Sequence, residues 1–255
     1  IPLGLREYGL DATSSLESYG VLSGMVLPVV LFPYALIYSF TGMLVPEISG
    51  GIAIGEKRHI EYITSRVWRL TVIFGLCASG ILGVCSKEFG EVLYSNADAG
   101  NFIFMLAPLM PLMYLDTVTD SLLKGMGEQV YSMWVNIADS FLSVILVWVL
   151  IPMLDIYGYA LVIIIMECFN FLLSYHRLRK RVRFSFNITK SLASPFIASA
   201  LAVALSKRVF VFCGQAATGF WITMQTTFAL CVCLGMMLCL NLILKGKNVN
   251  VNLQK

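Results

Sequence analysis

The stretch GNFIFMLAPLMPLMYLDTVTDSLL, residues 100–123, is apolar over most of its length yet carries two aspartates near its end. A bilayer core is crossed by about 20 apolar residues in a helix, and this run is long enough. Asp116, Asp120 and Lys124 follow one another at intervals of four residues, so they share one face of that helix. We therefore predict a membrane-spanning helix with a polar stripe that faces the interior of a bundle.

The composition of the whole chain supports a lipid environment. Of its 255 residues, 58% are hydrophobic and only 13% are charged, and the mean hydropathy is +0.80. Soluble domains are usually about 45–50% apolar and about 25% charged. Because helices satisfy their own backbone hydrogen bonds in lipid, we predict an all-α fold, a polytopic membrane helical bundle.

Apolar runs long enough to span a bilayer recur along the chain. The sequence predicts seven such segments, at residues 20–46, 67–86, 100–123, 130–154, 157–176, 188–206 and 219–244. Fourteen of the 18 Lys and Arg residues fall in loops on one side of these segments, and Arg6, Lys87, Lys207 and Arg208 fall on the other. The positive-inside rule then predicts a multi-pass protein of the plasma membrane with a cytoplasmic C-terminus.

Orientation gives each buried polar residue a depth. Asp116, Asp139 and Glu167 lie on three neighbouring segments at similar depth, where a charged group costs about 2.5–3.5 kcal/mol. Such groups turn toward other helices or toward a wet cavity. Three interpretations stay open: they lock the bundle by interhelical hydrogen bonds, they line a cavity for a substrate or a coupling ion, or they lie near the membrane interface incidentally. The candidate cavity residues are Asp116, Asp120, Asn136, Asp139, Glu167 and Asn170.

Prolines interrupt the first and third segments. Proline removes a backbone donor and kinks a helix, and broken helices at mid-membrane are typical of transporters, although a static kink is the alternative. Glu47 follows Pro46 at the predicted inner edge and could form a gate pair with Lys57 and Arg58. The candidate kink and gating residues are Pro28, Pro33, Pro46, Glu47, Pro108 and Pro111.

Other function classes find little support in the sequence. We find no catalytic constellation, no zinc-type spacing and no basic stripe interleaved with aromatics, so we expect neither an enzyme nor a nucleic-acid-binding protein. The seven cysteines include no CxxC pair, and we interpret them as small buried hydrophobic residues. We expect no cofactor and no bound metal beyond a coupling Na⁺ or H⁺.

Three stretches, YGVLSGMVLPVVLFP, LVPEIS and LAPLMPLMYLDTVTDSLLKGMGEQVYSMWVNIADSFLSVILVWVLIP, resemble the family of stage V sporulation protein B and the oligosaccharide flippases, within the MATE-like exporter superfamily. The resemblance implies two similar helical halves around a central cavity, often with about 14 helices, of which this chain is similar to the second half. Residues 1–19 are then the extracytoplasmic tail of a preceding helix, 20–178 a C-terminal lobe resembling helices 8–12, and 179–255 two additional helices with a short cytoplasmic tail.

That resemblance implies a flippase or exporter of lipid-linked oligosaccharide or of a cell-wall or spore-cortex precursor, working by alternating access in a bacterial membrane. The expected partners are membrane lipids, the lipid-linked glycan and the missing N-terminal half of the same protein. Two alternatives stay open: a MATE-type antiporter of drugs or organic cations with Na⁺ or H⁺, and a scaffold for cell-wall synthesis that transports nothing.

Overall fold

A computed structural model describes residues 12–182, and every secondary-structure element in that range is helical. Four helical stretches are long and apolar enough to cross a membrane: Thr13–Ile54, Lys57–Val84, Ala97–Gly125 and Gln129–Arg181. The predicted segments at 188–206 and 219–244 lie outside the described residues, so the total of seven stays a prediction.

The first stretch contains a short helix α1 (Ala12–Gly20), a run of π-helix (Val21–Val26) and the long helix α2 (Leu27–Ile54). Pro28 occupies the first turn of α2, where a missing backbone donor costs little. Pro33 and Pro46 lie inside α2, and the helix continues across both. The irregular backbone is therefore the π-helix just before Pro28, and α2 is continuous across Pro33 and Pro46, so a kink at either residue stays a prediction.

Helix α3 (Lys57–Val84) follows a tight turn at Gly55, whose φ of +80° suits a residue without a Cβ. It begins ten residues before the predicted segment 67–86, because its first turns are a charged extension of the apolar run. Two shorter helices follow, α4 (Ser86–Tyr94) and α5 (Ala97–Leu106), and the side chain of Asn96 caps α5 by accepting from the N–H of Ala99 at 3.1 Å.

The predicted proline break in the third segment is present. Pro108 lies in a 3₁₀ turn (Ala107–Leu109), and Pro111 lies in the first turn of the next helix, α6 (Met110–Gly125). Gly75 of α3 makes room for this start, because a Cβ added there would lie 2.8 Å from the Cα of Pro111. The backbones of α3 and α6 therefore meet in direct contact.

The last described helix, α7 (Gln129–Arg181), is folded into a hairpin at Asp155, where φ is 58° and ψ is −148°. Its arms, 129–154 and 156–181, run antiparallel because contacts join their far ends: the hydroxyl of Tyr131 donates to the carbonyl of Leu173 at 3.1 Å. These arms correspond to the predicted segments 130–154 and 157–176. We call this element the hairpin.

Helix α6 is the centre of the bundle and packs against α2, α3 and the hairpin. Its buried side chains include Tyr114, Val118 and Leu122, none of which is exposed to solvent. Large apolar side chains such as Phe32 on α2 and Trp148 on the hairpin point outward instead, each more than three-quarters exposed. An apolar exterior around a packed interior is the arrangement that a lipid environment favours.

The ends of several helices meet on one face of the bundle, which we call the basic face. The end of α2 packs on the end of α6, since a Cβ added at Gly125 would lie 2.9 Å from the Cβ of Ile48. Glu128, in the link between α6 and the hairpin, is bonded to Arg177 near the hairpin's end. Lys57, Arg58, Lys124, Arg179 and Lys180 are on these same ends. These five basic residues thus gather on one side of the bundle, and the assignment of that side to the cytoplasm stays a prediction.

Candidate functional site

A small polar cavity of about 210 Å³ lies between α2, α6 and the two arms of the hairpin. We call it the polar cavity. The predicted stripe of α6 faces it, since Asp116, Asp120 and Lys124 all contribute to its wall. Tyr34, Asn136, Asn170 and Ser174 contribute from the neighbouring elements. The stripe thus turns toward the interior, as its spacing predicts.

The two aspartates of the stripe have different surroundings. Asp120 forms an ion pair with Lys124, with 2.5 Å between its Oδ2 and the lysine Nζ, at the end of the cavity nearer the basic face. Asp116 lies one turn deeper, and its Oδ1 is buried without a hydrogen-bond partner among the described residues. The deeper carboxylate therefore has an unused acceptor atom inside the membrane-spanning part of the bundle.

A second, larger cavity of about 570 Å³ lies between the arms of the hairpin. We call it the hairpin cavity. Most of its wall is apolar, with Val147, Trp148 and Ile163 among its residues, while Asp139 and Glu167 add two carboxylates from facing arms. No Lys or Arg of the described chain lines it. The hairpin cavity is acidic at one end and apolar elsewhere.

Asn170 joins the two cavities, because it lines both of them. Its side-chain nitrogen donates to Oδ1 of Asp139 at 2.9 Å, and its Oδ1 is buried without a partner among the described residues. Asp116 lines the polar cavity and Glu167 lines the hairpin cavity, so each shares a cavity wall with Asn170. The structure therefore brings the predicted carboxylates together around Asn170, and their role in transport stays a prediction.

Glu47 has a partner other than the predicted Lys57 and Arg58, and its role in gating stays a prediction. Oε1 of Glu47 lies 3.2 Å from Nε2 of His59, and among the described residues neither Lys57 nor Arg58 pairs with it. The physical reason is the tight turn at Gly55. It sends α3 back along α2, so a residue in the first turn of α3 faces Glu47 while the lysine and arginine at its start face outward.

Sequence reasoning missed the most highly connected ionic group of the described chain. Glu128 accepts hydrogen bonds from Nε and Nη2 of Arg177 at 3.1 and 2.7 Å, and it also pairs with Arg181. The guanidinium of Arg177 stacks 4.9 Å from the ring centre of Tyr131. We call this group, Glu128 with Arg177, Arg181 and Tyr131, the clasp.

The clasp holds a carboxylate that is only 7% exposed. The hydrogen bond from Arg177 lowers the pKa of Glu128 below its ordinary value of 4.5, and Arg181 adds to the effect. The carboxylate is therefore ionised at neutral pH. One signal in the sequence could have pointed to it: Glu128 is the acidic residue in the short link after Lys124, and the basic run HRLRKRVR needs a counter-charge.

Metal binding finds no support in the described range. No group of three or more His, Cys, Asp or Glu side chains there is arranged to hold a metal ion. A role for Asp116, Asp139 and Glu167 in binding an ion stays a prediction.

Comparison with known proteins finds a distant relative. The chain is 28% identical to stage V sporulation protein B of Bacillus subtilis (strain 168) over 158 residues. The aligned region covers 61% of this chain and 30% of that protein, so the match spans less than a third of the relative's length. No protein-family model matches the chain, and no solved structure matches it. The chain is thus similar to a sporulation protein.

Proposed function

We propose that this chain forms one lobe of a membrane flippase that moves a lipid-linked oligosaccharide or cell-wall precursor across the bacterial membrane. The observation that carries the proposal is the similarity to stage V sporulation protein B over 158 residues. An all-helical bundle with four stretches able to cross a membrane is compatible with it. Alternating access then requires a second lobe, which we assign to the rest of a longer transporter.

The charges of the two cavities restrict how such a lobe works. A lipid-linked diphosphate is anionic, whereas the cavities are lined by Asp116, Asp139 and Glu167. Like charges cannot hold the diphosphate here. In this proposal the cationic surface for the phosphates comes from the other lobe, and the carboxylates of this chain take up protons or face the sugar hydroxyl groups.

A chimera tests the proposal in a complete transporter. The part of the Bacillus subtilis protein that is similar to this chain is replaced by the whole of this chain, and the chimera is expressed in a strain that lacks the native protein. We expect heat-resistant spores to return, and we expect Asp116→Asn and Glu167→Gln to reduce them at least tenfold. A chimera that accumulates in the membrane without restoring spores would contradict the proposal.

Glu91→Gln is the matched control in that chimera, since Glu91 is exposed on α4 away from both cavities. We expect it to leave spore counts unchanged. Membrane levels of each variant are measured alongside. If the two cavity variants keep full sporulation while their membrane levels fall, the carboxylates stabilise the bundle and take no part in transport.

A second candidate function is a MATE-type antiporter of organic cations. The observation that favours it is the hairpin cavity, because carboxylates beside apolar and aromatic walls suit a lipophilic cation. Efflux of ethidium from vesicles carrying the chimera separates the two candidates. The antiporter requires efflux that Glu167→Gln abolishes, and the flippase requires none.

A further inference from the structure

The clasp lies next to the end of the polar cavity that is nearer the basic face. Each element that contributes to the clasp also contributes a cavity residue one helical turn away. Lys124 precedes Glu128 on α6 and its link, Val135 follows Tyr131 on the first arm, and Ser174 precedes Arg177 on the second arm. On these three elements the clasp residues therefore lie between the cavity residues and the basic face.

The clasp also fixes three chain segments relative to one another. Glu128 belongs to the link, Arg177 and Arg181 to the end of the second arm, and Tyr131 to the start of the first. Tyr131 adds a hydrogen bond from its hydroxyl to the carbonyl of Leu173. Because one carboxylate receives both arginines, loss of that carboxylate releases both ion pairs at once.

The link and the two arginines are less tightly packed than the neighbouring core of α6. Gly127 has a φ of +78°, and no atom lies within 4 Å of the position that its Cβ would take. The link is thus free of packing on that side. Arg177 and Arg181 are one-third and about one-half exposed, whereas Leu122, one turn before the link begins, has no exposure at all.

We propose that the clasp is the gate of the polar cavity on the basic face, with Glu128 as the residue that holds it shut. The inference rests on the proposed function, because a gate has a purpose only in a transporter. Its evidence is separate, because it depends on the contacts of Glu128 and on no property of a substrate. When Glu128 releases the arginines, the arms part at this end and water enters as far as Ser174 and Asp116.

Site-resolved cysteine labelling tests the gate. Ser174 is 5% exposed, and the substitution Ser174→Cys is made in the otherwise native full chain, held in lipid nanodiscs. A membrane-impermeant maleimide is applied, and mass spectrometry measures the labelling rate of the introduced thiol at position 174. We expect Glu128→Gln to raise that rate at least tenfold, because glutamine keeps the size of the side chain and loses the charge that binds both arginines.

Two controls separate a gate from general loosening of the fold. Glu56→Gln makes the same change in an exposed residue on the basic face, and we expect no change in rate. The native Cys77, buried in α3, reports opening of the core. A gate raises labelling at position 174 alone, and equal acceleration at Cys77 or in the Glu56→Gln variant would overturn the proposal.

A milder variant keeps the test decisive if Glu128→Gln fails to fold. Arg181→Gln removes only the more exposed of the two arginines, so we expect an intermediate labelling rate at position 174. If the labelling rate at position 174 does not rise in a folded Glu128→Gln or Arg181→Gln protein, the clasp does not close the cavity and the proposal is wrong. Failure of the sporulation chimera would leave this outcome unaffected, since the labelling involves no transported molecule.

Discussion

The stretch Ala97–Gly125, which ends in α6, and the hairpin are both apolar enough to cross a membrane, yet their most apolar windows are buried to very different degrees. In the most apolar window of Ala97–Gly125, 61% of the residues are buried, whereas only 6% are buried in that of Gln129–Arg181. Helix α6 is surrounded by protein, and the hairpin has protein on one side only. The apolar residues of Ala97–Gly125 thus serve mainly internal packing. Those of the hairpin face lipid or another lobe.

The largest expected difference between the two elements is in the free energy of unfolding that is lost when a leucine is replaced by alanine. Leu122 on α6 has no exposure, and Leu172 on the hairpin is 63% exposed. We expect Leu122→Ala to lower the free energy of unfolding by about 2–5 kcal/mol, because it leaves a cavity in the packed core. Leu172→Ala leaves none and should cost far less. Thermal unfolding of both variants in the same detergent measures the difference, and equal losses would contradict the contrast.

Close backbone contact gives the next largest effect. A side chain at Gly75 would collide with the backbone of Pro111, and backbone cannot rotate away. We expect Gly75→Val to cost about 1–3 kcal/mol in the free energy of unfolding by forcing α3 and α6 apart, measured by thermal unfolding. Gly42→Val on α2 is the matched control, because nothing lies within 4 Å of that position. A destabilisation by Gly42→Val as large as that by Gly75→Val would show that helix propensity decides the effect and that packing does not.

These two elements also show how far sequence reasoning reaches. The apolar runs predicted the hairpin arms and the third segment to within a few residues, and the four-residue spacing of Asp116, Asp120 and Lys124 predicted the stripe that faces the polar cavity. Local rules suffice there, because helix period and span length depend on neighbouring residues alone. The role of these residues in transport was also predicted and stays untested.

The clasp and the partner of Glu47 could not be predicted in the same way. Glu128 meets Arg177 only because the hairpin turns at Asp155 and brings the ends of its arms together. Glu47 meets His59 only because of the direction in which α3 leaves the turn at Gly55. Both contacts depend on a turn that brings residues from two helical segments together. The sequence pattern around each residue does not indicate the direction of that turn.

The turn of the hairpin itself is predicted to be strained. Asp155 has a positive φ with ψ near −150°, a region that side chains with a Cβ rarely occupy. We expect Asp155→Gly to raise the free energy of unfolding by about 1 kcal/mol, since glycine occupies this region without strain. Asp155→Ala is the control, because it removes the same carboxylate and keeps the Cβ. Stabilisation of both variants alike in thermal unfolding would assign the effect to the carboxylate, and so would contradict backbone strain.

The smallest expected effect concerns pH at the other end of the hairpin. Because Arg177 lowers the pKa of Glu128 below 4.5, the clasp contributes stability that is fully present above pH 4.5 and is lost as the pH falls through the lowered pKa of the folded protein. Wild type and Glu128→Gln should therefore differ in melting temperature by a constant amount between about pH 8 and pH 6. The difference should shrink only in stronger acid.

Melting curves of both proteins across this pH range measure that difference, with Glu56→Gln as the control for a change in net charge. A gap that closes between about pH 8 and pH 6 would mean that a group with a near-neutral pKa controls the clasp. A constant difference in melting temperature between about pH 8 and pH 6 would argue against protonation in the neutral range as the event that opens the clasp. Ligand binding or movement of the other lobe would then be the remaining means of opening it.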